Sequence, residues 1–132
     1  MTYFINHVHI RSNEPEKSAE WYAKFFGAKI VSSKEVMPGT ITIGMQAGDG
    51  SCRLMISSQP VDGSDTPALP EINQLGLEHF GFQTSNISGD IKKFEDADVR
   101  IIMPVTDIPG GAQIAYIQGP DNVVIELVNP PS

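Results

Sequence analysis

The chain has 132 residues, 40% hydrophobic and 19% charged, and its 9 Lys and Arg against 16 Asp and Glu give a formal net charge of −7. That length suits one domain or two very small repeated units, not two independent domains, and can bury roughly two thirds of its unfolded surface. The negative balance repels phosphate backbones and sets nucleic acid aside as a partner, and no apolar run approaches the roughly 18 residues that cross a bilayer.

Residues 3–11 alternate as a strand does. Ser12-Asn13 offers a helix cap, Pro15 suits the first turn, and Ala19, Tyr22, Phe25 and Phe26 recur at helical spacing up to Gly27, a natural stop. Residues 29–36, 40–47 and 51–58 read as strands separated by Pro38-Gly39 and Gly48-Asp49-Gly50. Residues 59–75 are rich in Pro, Asp, Ser and Gly and read as a connector. A strand at 76–84, a helix at about 88–97 and strands near 99–103, 112–118 and 122–128 follow, with Pro109-Gly110-Gly111 and Gly119-Pro120-Asp121 as turns. The order βαβββ thus occurs twice, as module 1 over about 3–58 and module 2 over about 76–129, within a single domain. Ile5-Asn6-His7-Val8-His9-Ile10 opens the first, and Leu77-Glu78-His79-Phe80-Gly81-Phe82 opens the second. The stretch before His7 has no basic segment leading into an apolar one, so no secretory signal is expected. The lone thiol, Cys52, suits a reducing cytoplasm.

Three side chains stand out. If Val8 and Ile10 face the helix, His7 and His9 face the other side of their sheet. His79 occupies the matching place in module 2. His7 taken alone reads as readily as a half-buried, hydrogen-bonded imidazole. Glu126 interrupts the apolar run Val123-Val124-Ile125-Glu126-Leu127-Val128. On an edge strand it would face solvent; buried, it needs a cation, a metal or a strong donor. Two imidazoles and a carboxylate suit a divalent metal with open positions for substrate or water.

The chain from 3 to 129 resembles the vicinal oxygen chelate superfamily, which includes glyoxalase I, methylmalonyl-CoA epimerase, extradiol dioxygenases and the bleomycin and fosfomycin resistance proteins. The resemblance rests on Ile5-Asn6-His7-Val8, Ser18-Ala19-Glu20-Trp21-Tyr22 with Phe26-Gly27-Ala28-Lys29, Leu77-Glu78-His79-Phe80, and Gly119-Pro120-Asp121-Asn122-Val123-Val124-Ile125-Glu126-Leu127. It implies an α+β fold in which two βαβββ modules form a curved, half-open barrel sheet around a metal, with the helices outside, and a homodimer. It also implies that His7, His79 and Glu126 are metal ligands. The remaining ligand position of glyoxalase I falls on Met55 or Arg53, depending on register. Neither suits a hard or borderline ion, since arginine stays protonated and a thioether prefers soft metals.

The resemblance implies a lyase or isomerase of glyoxalase type, dependent on a divalent ion (Fe, Ni, Co, Zn or Mn). It would act on a small substrate that chelates the ion through vicinal oxygens, with Glu126 as the available base. An Fe(II) dioxygenase is the alternative. There Tyr116, on the strand before Glu126, matches an acid-base tyrosine, and His9 could assist; core packing explains Tyr116 equally. A metal-free ligand-binding or resistance protein is the third reading, and the retained His7, His79 and Glu126 speak against it. Arg53, if it faces the cleft beside Met55, would suit an anionic group on the substrate; a solvated strand arginine explains it equally.

Overall fold

The computed structural model describes residues 2–60, 62–63 and 66–132. Of the expected connector over 59–75, Val61, Ser64 and Asp65 lie outside the described residues. The chain forms two compact units, Met1–Thr66 and Pro67–Ser132.

In the first unit, β1 (His7–Arg11), α1 (Pro15–Phe26), β2 (Lys29–Lys34), β3 (Thr42–Gln46) and β4 (Arg53–Ser57) build a sheet of order β1-β4-β3-β2. Strands β1 and β4 run parallel, and the other pairs are antiparallel. Pro15 enters the first turn of α1, where its missing N–H costs nothing. Ser12 is not the cap; Glu14 holds that place. The Ser12 hydroxyl instead accepts from the Glu14 N–H at 3.0 Å and bonds the Ser18 hydroxyl at 2.9 Å. Gly27 ends the helix at φ 66°, and its N–H donates to the Ala23 carbonyl at 3.1 Å; only glycine takes that conformation without strain. Helix α1 packs on β3 and β4, where Ala19 and Tyr22 are buried with Ile10, Met45, Leu54 and Ile56. Each large apolar side chain buried this way contributes about 1.5–3 kcal/mol before entropy is counted.

The second unit repeats the plan with β5 (Phe80–Gln83), α2 (Ile87–Asp96), β6 (Ile101–Asp107), β7 (Gln113–Gln118) and β8 (Val124–Asn129), ordered β5-β8-β7-β6. The Asn86 side chain caps α2 by accepting from the Gly89 N–H at 3.2 Å. Ile87, Ile91 and Phe94 bury against the sheet, whose inner residues include Ala115, Ile117, Ile125 and Leu127. The α+β class and the repeated βαβββ order are therefore those read from the sequence. No helix among the described residues is long and apolar enough to cross a membrane.

Several boundaries differ from the sequence reading, and three have a clear physical cause. Strand β1 begins at His7 rather than at residue 3, because its parallel partner β4 begins only at Arg53, opposite His7. Strand β5 likewise begins at Phe80, because β8 starts at Val124 after the Pro120–Asn122 turn. Asp121 and Asn122 hold that turn at φ 62° and 59°, a conformation these residue types tolerate. Strand β6 runs on to Asp107 through Pro104. It is an edge strand whose register shifts between Met103 and Thr106, so the missing N–H leaves no gap in the ladder.

Candidate functional site

Alternation along the strands sets the chemistry of each sheet face that looks away from the helix. In the second unit Ile125 and Leu127 turn toward α2, so Glu126 turns away from it. Strand β8 lies between β5 and β7, and the Glu126 side chain is 17% exposed, so it is not a solvated edge carboxylate. Its register partners are Gly81 on β5 and Tyr116 on β7. A Cβ on Gly81 would meet the Glu126 Cβ and Oε1 at 3.5 Å, an ordinary van der Waals contact, so the glycine lies directly against the carboxylate.

His79 stands just ahead of β5. Its Nδ1 lies 2.7 Å from Glu78 Oε1, and its Nε2 lies 3.5 Å from Glu126 Oε2. The His79 and Tyr116 rings meet edge to face, with centroids 4.9 Å apart. Glu78 also accepts from the Asn73 N–H, and that bond, then the one from His79, pulls its carboxyl below the usual range. The Tyr116 hydroxyl is pushed up to about 12, first by burial, then by its hydrogen bond to Glu126 and the charges of Glu126 and Glu78.

In the first unit the corresponding face carries His7, His9 and Arg11 on β1, beside Arg53, Met55 and Ser57 on β4. His7 Nδ1 lies 2.8 Å from Asn6 Oδ1. His9 Nε2 lies 2.8 Å from Ser57 Oγ, and Ser57 Oγ lies 2.8 Å from Thr42 Oγ1, a chain that ends among buried hydroxyls. Burial first, then the positive charges of Arg11 and His7, hold the His9 imidazole below its ordinary value. Arg11 donates to the Ser58 carbonyl at 2.8 Å. These side chains line an open cleft of about 680 Å³, with Val36, Met37 and Thr40 on its far wall.

The register settles which residue of β4 matches Glu126. His9 faces Met55 and Gly44 faces Met55, just as Gly81 and Tyr116 face Glu126. Met55, not Arg53, therefore stands at the matching place. Where one unit sets a carboxylate between a glycine and a tyrosine, the other sets a thioether between a histidine and a glycine.

Among the described residues no group of three or more His, Cys, Asp or Glu is gathered to hold a metal ion. The second unit brings two expected ligands, His79 and Glu126, together with Tyr116. The first unit brings His7, His9, Arg53 and Met55 to one cleft. The donors of the second unit fit a divalent ion. They are an imidazole nitrogen and a carboxylate oxygen on one face, and the second imidazole nitrogen is already held by Glu78. The sequence reading missed Asn6 and Glu78 as partners of the histidines, although each stands immediately before its histidine. It also missed Ser57 and Thr42.

A family model described as the Glyoxalase/Bleomycin resistance protein/Dioxygenase superfamily matches residues 4–127. The fold is shared with a glyoxalase family protein from Bacillus cereus at TM-score 0.86 and 14% identity, over 100% of this chain and 97% of that one. A glyoxylase/bleomycin resistance protein/dioxygenase domain from Frankia matches at TM-score 0.79 and 15% identity, covering 98% and 99% of the two chains. Trypanothione-dependent glyoxalase I of Leishmania major matches at 0.74 and 18% identity, covering 97% and 87%. At such identities the likeness extends to the fold alone. No curated protein matches the sequence.

Proposed function

The chain belongs to the glyoxalase/bleomycin resistance protein/dioxygenase superfamily, and on that premise we propose that it is a divalent-metal-dependent lyase or isomerase of small substrates bearing two neighbouring oxygens. His79 and Glu126 of the second unit would hold the ion. When bound, such an ion polarises substrate oxygens and stabilises the negative charge that develops on them.

What supports the reading is a repeated local device. In each unit an oxygen of the preceding side chain sits at hydrogen-bond distance from histidine Nδ1, Asn6 for His7 at 2.8 Å and Glu78 for His79 at 2.7 Å. With the proton held on Nδ1, the Nε2 lone pair is left for a cation. Glu126 would be the carboxylate that takes a carbon-bound proton. Tyr116, whose hydroxyl is raised to about 12 first by burial and then by hydrogen bonding to Glu126, stays a neutral phenol and would help orient that carboxylate. General-base help of this kind is worth about 10²–10⁴-fold.

Elemental analysis of protein purified without chelator or nickel resin tests the proposal. Near-stoichiometric nickel, cobalt, zinc or manganese, lost in Glu126→Ala, is the expected result. No metal after reconstitution with each ion would refute it, and a metal-free binding protein would then be the better reading. Tyr116 lying against both His79 and Glu126 favours a second reading, a ferrous dioxygenase. Iron in the purified protein, with oxygen uptake on catechols, would select it.

We also propose a cytoplasmic homodimer. Tyr3, Phe4, Ile5, Leu75 and Leu77 are strongly exposed apolar side chains ahead of β1 and β5. Such surface is a liability unless a second copy covers it.

A further inference from the structure

We propose that the cleft of the first unit receives the carboxylate of a small amphiphilic organic acid, with the Arg53 guanidinium as its anchor. This rests on reading the chain as a protein that acts on small molecules, and it names the class of molecule.

The charge pattern carries the inference. The chain as a whole is at −7, yet the cleft is lined by Arg11, Arg53, His7 and His9 and by no carboxylate. Outward on the same sheet face, Lys34 is the register partner of Thr42. A cationic cleft on an acidic protein focuses field toward one small anion and repels polyanions from the surrounding surface.

Arg53 is the free member of the set. It is exposed, and its guanidinium has no hydrogen-bond or ion-pair partner among the described residues. Arg11, by contrast, is tied to the Ser58 carbonyl. Arg100, in the second unit, is spent on the Pro70 carbonyl and the Gln118 side chain, at 3.1 Å each. A free planar guanidinium at the rim of a cleft matches the two oxygens of a carboxylate.

The rest of the lining chooses carboxylate over phosphate. Among the described residues that line the cleft there is no lysine, no glycine-rich loop and no helix N-terminus, the features that usually cradle phosphates. Val36, Met37 and Met55 supply an apolar wall instead. Thioethers adapt to irregular hydrocarbon. A volume of about 680 Å³ is within the range of small-molecule sites. The ligand therefore has an acid group for Arg53 and a hydrocarbon or aromatic body for the methionines.

Calorimetric titration of the full-length protein with phenylacetate tests this, with phenylacetamide as the neutral isostere. Phenylacetate is expected to bind and the amide to bind far more weakly. Arg53→Gln should lose roughly tenfold or more in affinity for the acid alone. Arg53→Lys, which keeps charge but not the fork, should fall between. Both variants alter an exposed, unpartnered side chain, and unchanged thermal melting would establish that they fold. The titration is repeated in EDTA, and metal content is measured on the same sample. Arg53-dependent binding that survives EDTA supports the inference even if the protein holds no metal and the lyase reading falls. Equal binding of acid and amide, wild-type affinity in Arg53→Gln, or loss of binding in EDTA would overturn it, whatever the metal analysis gives.

Discussion

Glu78 Oε1 sits 2.7 Å from His79 Nδ1, and Asn6 Oδ1 sits 2.8 Å from His7 Nδ1. The two units thus solve one orientation problem twice, once with a carboxylate and once with an amide. The carboxylate is the stronger acceptor, and it makes the imidazole it holds the better electron donor.

A first prediction follows from that difference. Glu78→Ala removes no expected ligand, yet it should weaken divalent-metal affinity about 10- to 100-fold, and Glu78→Gln should recover part of the loss. Competition titration with a chromophoric chelator reads both. Wild-type affinity in Glu78→Ala would mean that the His79–Glu78 contact plays no part in holding a metal.

Tyr116 gives a pH dependence whose sign is fixed. Its hydroxyl is raised to about 12 in the folded chain from about 10 when unfolded, so the fold favours the neutral phenol. That contribution is complete below pH about 10 and is lost as pH rises through about 12. In metal-free protein, Tyr116→Phe should delete a phenolate absorbance step near pH 12. The variant should also lose less stability than the wild type across that interval. A Tyr116 step at the ordinary tyrosine value would contradict the burial and the bond to Glu126.

The second unit's core has its own test. Phe94 is fully buried where α2 meets the sheet. Phe94→Ala should cost about 3–5 kcal/mol, read as a lower urea midpoint. A loss below about 1 kcal/mol would mean that α2 does not pack as described.

The exposed apolar side chains make the last prediction. Changing Tyr3 and Phe4 together to Ser should shift the protein from dimer toward monomer in sedimentation velocity. A wild-type chain that is monomeric at every concentration would remove the homodimer.

Much of this was readable in the sequence because the signals were local. Gly27, the helical spacing of Ala19 and Tyr22, and the turns at Gly48-Asp49-Gly50 and Gly119-Pro120-Asp121 act within a few residues. The elements they bound stand close to where they were expected. The starts of β1 and β5 were not readable, because a parallel strand can begin only where its partner does, and the partner lies far along the chain. The choice between Met55 and Arg53 was open for the same reason, and pairing register decides it. The His9–Ser57–Thr42 chain joins a histidine to a serine 48 residues away, with no local pattern to announce it. Asn6 and Glu78 are different: an acceptor directly before each repeated histidine was there to be seen.

The pairing pattern also bears on the order in which the protein is made. Every strand of the first unit finds its neighbours within that unit. The N-terminal half therefore has its full set of ladder partners before the C-terminal half has left the ribosome. Within it, β2 and β3 can pair before β4 is made, whereas both neighbours of β4, antiparallel β3 and parallel β1, must wait for it. His7, His9 and Arg53 are brought to one face by the β1–β4 pairing, so the cleft of the first unit cannot be complete until β4 has been made.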